Sequence, residues 1–471
     1  MNFLEKCRDT AEKIDFTETE NYFTELCAVK KGKIKSTIPT INGIEIEFGK
    51  DAEWFSYKTE RINFCENPSQ YQHTNYGIID SFDIQVDERE YKLPYGAKTS
   101  SFSLKLMELS GQISKIEHNF SDEKTHYFRA ILPLDKYAKP PLKYFLGRGI
   151  VNGESLKVAG YVDLKINENV IGFYDYEINK KEYIIIDCKT KVKYELFEDI
   201  VESILHPFAL ISGNLIRESI TILKFKQEDF SNIIGFKFKK LDDSIVSLLE
   251  IYNPDLHKDY FDLKETFFFP TEIFSNLCQL SYNSKPLLRA IRTLTQARNQ
   301  PVEIETAAYF ITLETVKQII IEENEDKISP IKDKAFAKYI VRQLRAIIKP
   351  LAEENFNDKN AVIRKIENIN GIANADGFNL AFQIMGIQLT KDDQECINNR
   401  NKFLHGSIPF DHDTKENRRK ELSKINLNAH LITCALILKY AGYSGPIKNY
   451  LKYLDLINNL KSINQPLFRT I

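Results

Sequence analysis

The hydrophobic pattern of this chain changes its period near residues 255–270, and that change most limits what the chain can fold into. Before it, short apolar or alternating runs such as ITILKF and KEYIIIDCKT lie between turn-forming residues. From Pro270 onward, apolar residues recur every three or four positions over long segments. Period two is typical of strands and period 3.6 of helices. The sequence therefore predicts an α+β multidomain protein, with a β-rich region over residues 1–260 and an all-α helical bundle over residues 270–471.

Two hairpins and one helix are expected within the β-rich region. Asn42-Gly43 lies between β-prone flanks in TIPTINGIEIEF, and this dipeptide is favoured in two-residue hairpin turns. The polar stretch SDEK, residues 121–124, lies between ISKIEHNF and THYFRAIL and predicts a second hairpin. YELFEDIVESILHPFALISG predicts a helix, because its apolar residues recur at helical spacing.

Length and charge narrow the class of protein. A chain of 471 residues is too long for one ordinary core and predicts two or three domains. The net charge of −2 gives no general basic field, so a nucleic acid would have to bind a local patch. We expect no membrane association, because the chain has no run of about 18 apolar residues and no apolar segment typical of a signal peptide.

The cysteines favour a reducing compartment. They are scattered and form no CxxC pair, so neither a disulfide framework nor a zinc knuckle is expected. A cytoplasmic location is the corresponding prediction. The seven are Cys7, Cys27, Cys65, Cys188, Cys278, Cys396 and Cys434.

A short helix near the end of the chain carries the residues most suggestive of chemistry. Thr390 and Asp393 have the spacing of a capping box and predict the start of the helix. Gly406 and Pro409 predict its end near Leu404 or the next residue. Further on, Pro446 predicts the start of a last helix.

Arg400 lies at the centre of the apolar stripe of this short helix. The apolar residues that form the stripe at about 100° per residue are Cys396, Ile397, Phe403 and Leu404. An unpaired charge in such a position costs several kcal/mol, so the guanidinium must meet a carboxylate, a second subunit or a cleft that receives an anion.

Asn401 and His405 share the edge of the helix next to Arg400, because they are one turn apart. A histidine at a helix C-terminus is easier to protonate, since the helix dipole there favours cations. An anion-binding arginine beside a titratable imidazole suits the chemistry of phosphate esters. The alternative interpretation is structural: Arg400 pairs with a core carboxylate and His405 only caps the helix.

These residues form the motif Arg400-Asn401-Lys402-Phe403-Leu404-His405, which resembles that of the HEPN superfamily: an arginine, a polar residue, and a histidine after four intervening residues. The arrangement of the whole chain is similar to ApeA-like proteins, which join a β-rich N-terminal region to a C-terminal HEPN domain. The HEPN resemblance covers residues 270–471. Over residues 1–260 it is architectural only.

The resemblance implies a metal-independent endoribonuclease without a cofactor, in which two protomers bring two Arg/His sets to one cleft. His405 would act as general acid or base on the ribose 2′-hydroxyl and the leaving oxygen. Arg400 would hold the scissile phosphate. Asn401 would orient His405 or hydrogen-bond the phosphate. Glu314 is the partner that the family layout suggests for Arg400.

The resemblance also implies partners and a biological role. The substrate would be RNA, with transfer RNA as one candidate, and Lys402, Arg418 and Arg419 would bind its phosphates. For the two arginines a solvated helix face is the simpler alternative. The role would be bacterial defence against phage by abortive infection, with residues 1–260 as a sensor or regulator that responds to a phage-derived trigger. His412 and Asp413 follow the motif and either assist the site or lie in a surface loop.

Two other interpretations remain open. Asp187-x-Lys189 follows an apolar strand and is similar to half of a PD-(D/E)xK nuclease motif, with Asp163 as the second carboxylate for Mg²⁺. A strand that exits into a polar turn explains the same residues. Alternatively, the helical bundle is non-catalytic and only dimerises or binds a nucleotide.

Overall fold

The computed structural model describes strand segments between residues 34 and 118 and most of the chain from residue 124 to residue 471. In that second stretch the residues not described are 135–139, 152–153, 179–180, 217–218, 229, 231–232, 242–245, 248, 262–267, 299, 371–373, 405–413 and 458–463. The chain divides into two compact units, Met1–Asn283 and Ser284–Ile471. Antiparallel strands dominate the first unit and helices the second, so the chain is of the mixed α+β class.

The first unit is built on antiparallel strands. In chain order they are β1 (Ile34–Thr40), β2 (Gly43–Phe48), β3 (Ile62–Asn63), β4 (Gln72–His73), β5 (Gly77–Ile78), β6 (Asp83–Val86), β7 (Ser110–His118), β8 (His126–Pro133), β9 (Leu146–Val151), β10 (Glu154–Ala159), β11 (Tyr161–Ile166), β12 (Asn169–Ile178), β13 (Lys181–Val192), β14 (Asn214–Leu215), β15 (Ser219–Phe225), β16 (Ile233–Lys240) and β17 (Val246–Ser247). Most of them join one large sheet in the order β1-β2-β7-β16-β15-β8-β13-β12-β11, and β6 also pairs with β7 and β3.

One predicted hairpin is confirmed and the other is wrong. β1 and β2 pair antiparallel with Thr40 opposite Gly43, as the Asn42-Gly43 signal predicts. β7 and β8, which flank the polar stretch 121–124, do not pair, because β15 and β16 lie between them in the sheet. A polar turn reverses the chain, but it does not choose which strand becomes the hydrogen-bonded neighbour.

The central strand β8 is buried on both faces. Phe128 and Ala130 on one face and Arg129 and Ile131 on the other are all at most 2% exposed. Burial on both faces explains why these strands read as continuous apolar runs rather than clean alternation. The one cation in this run, Arg129, must therefore find its partner inside the unit.

Helix α1 (Tyr194–Ser212) covers one face of the sheet, as the sequence predicts. The ring of Phe197 stacks on that of Phe128, with centroids 5.3 Å apart. The helix ends at Gly213, whose φ is +71°. A Cβ at this position would lie 2.7 Å from the backbone nitrogen of Glu250, so the turn requires glycine.

Helices α2 (Pro254–Tyr260) and α3 (Thr271–Asn283) complete the first unit. Phe274 of α3 stacks on Phe145, with centroids 4.6 Å apart. The Ser275 hydroxyl accepts a hydrogen bond from the Lys165 backbone N–H at the outer edge of β11. The helical part of the sequence begins at Pro270, but α3 belongs to the first unit because it packs on this sheet and covers its edge.

The second unit is mainly helical. Its helices are α4 (Lys285–Gln296), α5 (Val302–Glu323), α6 (Glu325–Ile328), α7 (Lys334–Ile348), α8 (Lys359–Glu367), α9 (Asn374–Ile384), α10 (Lys391–Leu404), α11 (Lys415–Tyr440) and α12 (Tyr450–Ile457). The prediction that Pro446 opens a last helix is wrong. Pro446–Lys448 forms strand β18, which pairs with β19 (Phe468–Thr470), so the unit is not purely α-helical.

Helices α5 and α11 form the centre of the second unit. The side chains of α11 from Ile425 to Leu438 are buried on every face of the helix. An isolated amphipathic helix would bury only one face, so α11 must be surrounded by other elements. Helices α5, α10 and α12 pack against α11, and α4, α9 and α10 pack against α5. Among the described residues, no helix combines the length and apolar character needed to cross a membrane.

Candidate active site

Helix α10 begins with the predicted capping box. The Thr390 hydroxyl accepts from the Asp393 N–H at 3.2 Å, and the Asp393 carboxylate accepts from the Thr390 N–H at 2.8 Å. Asp393 is 1% exposed and also pairs with Arg469 at 2.8 Å. This buried pair fixes the start of α10, so the direction in which the next three turns project is well determined.

The apolar stripe of α10 faces α5 and α11, and Arg400 lies within it. Cys396 and Ile397 are buried, and the Phe403 ring lies 5.6 Å from that of Phe310 on α5. The Arg400 side chain is 13% exposed. The prediction that Arg400 lies within the apolar stripe of α10 is therefore confirmed.

The guanidinium of Arg400 is held on three sides. Its Nε donates to Glu314 Oε1 at 3.2 Å, and its Nη1 donates to the Ile397 carbonyl at 3.4 Å. Its central carbon lies 4.3 Å from the centroid of the Phe378 ring. No described residue accepts from Nη2. The predicted pairing with Glu314 is confirmed, and three of the five guanidinium N–H donors, including both on Nη2, are not used by these partners.

A second cation shares this site. The ammonium of Lys317, one turn after Glu314 on α5, lies 4.6 Å from the Phe378 centroid. Lys317 is 7% exposed. Burial and, more weakly, the charge of Arg400 lower its pKa, while Glu314 opposes that shift. We call Arg400, Lys317, Glu314 and Phe378 the cation cluster.

The cation cluster carries a positive excess. Glu314 is the one carboxylate seen among its four members, and its side chain is 41% exposed, so solvent weakens its hold on the two cations. Phe378 presents a ring face to both cations, which stabilises them without neutralising them. An anion that reached Arg400 Nη2 would therefore gain from both cations and displace little protein.

The remaining residues of the predicted motif lie at or beyond the end of α10. Asn401 and Lys402 are exposed. His405 lies outside the described residues, as do His412 and Asp413. The arrangement of Arg400 relative to the imidazole therefore stays a prediction.

The two predicted RNA-binding arginines of α11 differ. Arg418 pairs with Glu303 of α5 at 3.6 Å and is about one third exposed. Arg419 is exposed and makes no ion pair with a described residue. Arg419 could therefore bind a phosphate without leaving a protein carboxylate, whereas Arg418 also holds α11 against α5.

Sequence reasoning missed Lys317 and Phe378. A signal existed for the lysine, because Glu314 and Lys317 have i,i+3 spacing in a helix that is otherwise mostly apolar. Phe378 carried no signal of its own, since an apolar residue on an amphipathic helix is ordinary. Only the packing of α9 on α5 makes its ring the surface that both cations contact.

The rival site in the first unit contains the predicted residues, but they bind other partners. Asp187 is fully buried and accepts from Arg129 Nε at 2.6 Å and Nη2 at 2.9 Å. The Tyr174 hydroxyl donates to the same carboxylate at 2.7 Å. A divalent cation would have to displace a buried guanidinium to reach Asp187.

Asp163 and Lys189 form a separate pair. The Lys189 ammonium donates to Asp163 Oδ1 and to the Tyr161 hydroxyl, both at 2.8 Å. The carboxylates of Asp163 and Asp187 thus bond different cations instead of converging on one ion. Among the described residues, no group of three or more acidic, histidine or cysteine side chains has the arrangement of a metal site.

Comparison of the chain with protein-family models, with curated proteins and with solved structures gives no match. The resemblance to HEPN enzymes therefore stays a prediction, drawn from the motif in residues 400–405.

Proposed function

We propose that the chain is a metal-independent endoribonuclease of the HEPN type, similar to ApeA-like proteins. In this proposal residues 270–471 form the ribonuclease domain and act as a cytoplasmic homodimer. Residues 1–260 sense or regulate, and the enzyme defends bacteria against phage by cutting RNA, with transfer RNA as a candidate substrate.

The observation that best supports the proposal is the state of Arg400. Its guanidinium is oriented by Glu314, Ile397 and Phe378, yet Nη2 has no acceptor among the described residues. A cation fixed in advance, with donors left over, costs little reorganisation when negative charge develops on a bound phosphate.

The proposed reaction uses the ribose 2′-hydroxyl as nucleophile. His405 removes the 2′ proton, the 2′ oxygen bonds to phosphorus, and the bond from phosphorus to the 5′ oxygen breaks. A protonated imidazole, the second His405 in the dimer, supplies the proton that the 5′ oxygen takes. The products are a 2′,3′-cyclic phosphate and a 5′-hydroxyl, and no metal ion is required because the nucleophile is already adjacent to its phosphate.

The other residues have supporting roles in this proposal. Arg400 and Lys317 stabilise the charge that develops on the phosphate. Asn401, exposed beside Arg400, orients His405 or hydrogen-bonds a phosphate oxygen. Lys402 and Arg419 extend the cationic surface along the bound strand.

The test is cleavage of RNA in the presence of EDTA. Purified wild type is compared with Arg400→Ala and His405→Ala, with Arg289→Ala as a control that removes an exposed arginine of the same unit, on α4 and outside the cation cluster. We expect cleavage by wild type and by the control, loss in the two motif variants, and a 2′,3′-cyclic phosphate end. Cleavage that EDTA abolishes, or that persists in His405→Ala, contradicts the proposal.

One observation favours a second candidate, a non-catalytic bundle that dimerises or binds a nucleotide. Glu314 already neutralises part of the Arg400 charge, as a structural pair would. The same experiment distinguishes the two. Absence of cleavage by wild type, together with dimer formation that Arg400→Ala weakens, supports the second candidate.

A further inference from the structure

Helix α7 carries an unusually uniform charge. Between Lys334 and Lys349 the sequence has five basic residues and no acidic one, in a chain whose net charge is −2. The five are spaced by three or four residues and fall within about 80° of the helix circumference. They are Lys334, Lys338, Arg342, Arg345 and the capping residue Lys349, and we call them the basic stripe.

The basic stripe lies on the surface, and ion pairs neutralise only a small part of its positive charge. Lys334 pairs with Glu325 and Arg345 with Glu367, but all four of those side chains are more than 40% exposed, so these pairs are weak. Lys338, Arg342 and Lys349 make no ion pair with any described residue.

The exposed Tyr339 ring lies beside the stripe, about 60° round the helix from Arg342, and the exposed Phe336 ring lies about 60° farther from the stripe. Phe336 is 53% exposed and Tyr339 49%, and their rings are nearly parallel at 16°, with centroids 6.4 Å apart. Arg342 lies over the Tyr339 ring at 5.9 Å. Large apolar side chains that stay this exposed mark a surface that meets a partner.

Hydrogen bonds from side chains hold helix α7 at both of its ends. Asp333 caps the start of α7 by accepting from the Ala335 and Phe336 N–H groups. At the other end the Lys359 ammonium donates to the carbonyls of Lys349 and Leu351. A cation there also suits the negative end of the helix dipole.

We propose that α7 binds single-stranded RNA, with the basic stripe along the phosphates and Tyr339 stacked on a base. This inference rests on the proposed ribonuclease function, because it names a surface that holds the substrate. Successive cations of the stripe are separated by about 6 Å along the axis, which is comparable with the spacing of phosphates along one strand. Aromatic stacking beside a cationic track is how proteins hold single strands without reading sequence.

The arrangement fits RNA better than an acidic membrane surface. A helix that lies in a membrane interface presents a continuous apolar face to the lipid. The exposed sector of α7 has Gln343 between Tyr339 and Ile347, while its larger apolar sector already packs in the unit, where Ala337 is buried.

The experiment measures binding separately from cleavage. All proteins carry His405→Ala and are full-length, and the probe is a fluorescent single-stranded RNA of about 20 nucleotides, long enough to exceed the site size of such surfaces, in EDTA. The stripe variant combines Lys338→Gln, Arg342→Gln and Lys349→Gln. The matched control combines Lys285→Gln, Arg289→Gln and Lys391→Gln, which removes the same residue types from exposed positions on α4 and α10.

We expect the stripe variant to bind roughly tenfold or more weakly, and the slope of log Kd against log salt to fall by about 2. The control should stay within about twofold of the parent with an unchanged slope. Tyr339→Ala should weaken binding about fivefold or more, and Tyr339→Phe should restore it because stacking does not need the hydroxyl.

Equal binding by the stripe variant and the parent overturns the inference even if wild type cleaves RNA. Stripe-dependent binding by a protein whose wild type never cleaves supports the inference and refutes the ribonuclease proposal. Co-sedimentation of the parent with phosphatidylserine vesicles, without stripe-dependent RNA binding, assigns α7 to membranes and also overturns it.

Discussion

The two aspartates on one row of the large sheet should differ sharply in their contribution to stability. Asp163 of β11 lies opposite Gly172 of β12, and Gly172 lies opposite Asp187 of β13, so the two aspartates occupy the same face of the sheet with one strand between them. Asp187 and its partner Arg129 are both 0% exposed, whereas Asp163 is 50% exposed and its partner Lys189 is 16% exposed. The perturbation is Asp→Asn at each position, which keeps the shape and removes the charge.

The expected magnitudes follow from burial. Asp187→Asn would leave the Arg129 guanidinium buried without its counter-charge, which costs about 3–5 kcal/mol. Asp163→Asn removes one partner of a half-exposed pair, which costs about 0–1 kcal/mol. For a unit of this size the melting temperature of Asp187→Asn should be roughly 6–20 °C below that of wild type. The melting temperature of Asp163→Asn should stay within a few degrees of wild type.

Differential scanning calorimetry of the full chain is the assay, because it can resolve the transition of the first unit. Raising the salt concentration should change the Asp163→Asn difference and leave the Asp187→Asn difference almost unchanged. The double variant Arg129→Met with Asp187→Leu should recover most of the loss, since replacing a buried pair costs far less than breaking it. Equal losses at the two positions, or no recovery in the double variant, would refute this reasoning.

Three further predictions concern the second unit. Thr390→Ala should lower the stability of that unit by about 1 kcal/mol, measured by urea unfolding, because it removes the acceptor of the Asp393 N–H. Burial lowers the pKa of His430 to about 3. Below about pH 6.5 the unfolded chain therefore takes up a proton that the native state does not bind. The free energy of unfolding should fall by about 2 kcal/mol between about pH 7 and pH 5, and His430→Gln should reduce this loss. In the His405→Ala background, Glu314→Gln should tighten RNA binding about two- to fivefold, and Lys317→Met should weaken it by about the same factor. Changes of the same sign in both variants would contradict an anion site at Arg400.

Much of the fold was predictable because it depends on local patterns. Helices α5 and α11 follow from long segments, rich in apolar residues, that contain neither glycine nor proline, and α10 follows from the capping box at Thr390. One error concerns which strands pair, and the other concerns the type of the element that begins at Pro446. Nothing local distinguishes a β7–β8 hairpin from two strands separated by β15 and β16. Nor does Pro446 indicate whether the chain enters a helix or pairs with β19, over twenty residues later.

The candidate site was predictable only where one helix carries it. Arg400 stood out because a charge in an apolar stripe is anomalous on its own. Lys317 and Phe378 come from other helices, and their convergence is a product of packing. The sequence shows the cations of the basic stripe of α7 at helical spacing. Only the structure shows that these side chains and Phe336 are exposed.

Arg129 and Arg400 show how differently two arginines can be paired, since Arg129 is fully buried and the Arg400 side chain is 13% exposed. Arg129 meets a fully buried carboxylate through two of its nitrogens, and a tyrosine hydroxyl shares that carboxylate, so the pair is closed to solvent and to ligands. Arg400 meets a carboxylate that is 41% exposed, through one nitrogen, and has a second cation beside it. A closed pair stabilises the fold because removing either member leaves a charge in the interior. An open pair with excess positive charge is poorly explained as a stabilising device, since burial and, to a smaller extent, the charge of Arg400 lower the pKa of Lys317 and make its charged form costly, although Glu314 opposes that shift. That cost falls when an anion binds, which is the physical reason to seek a phosphate at Arg400 rather than at Arg129.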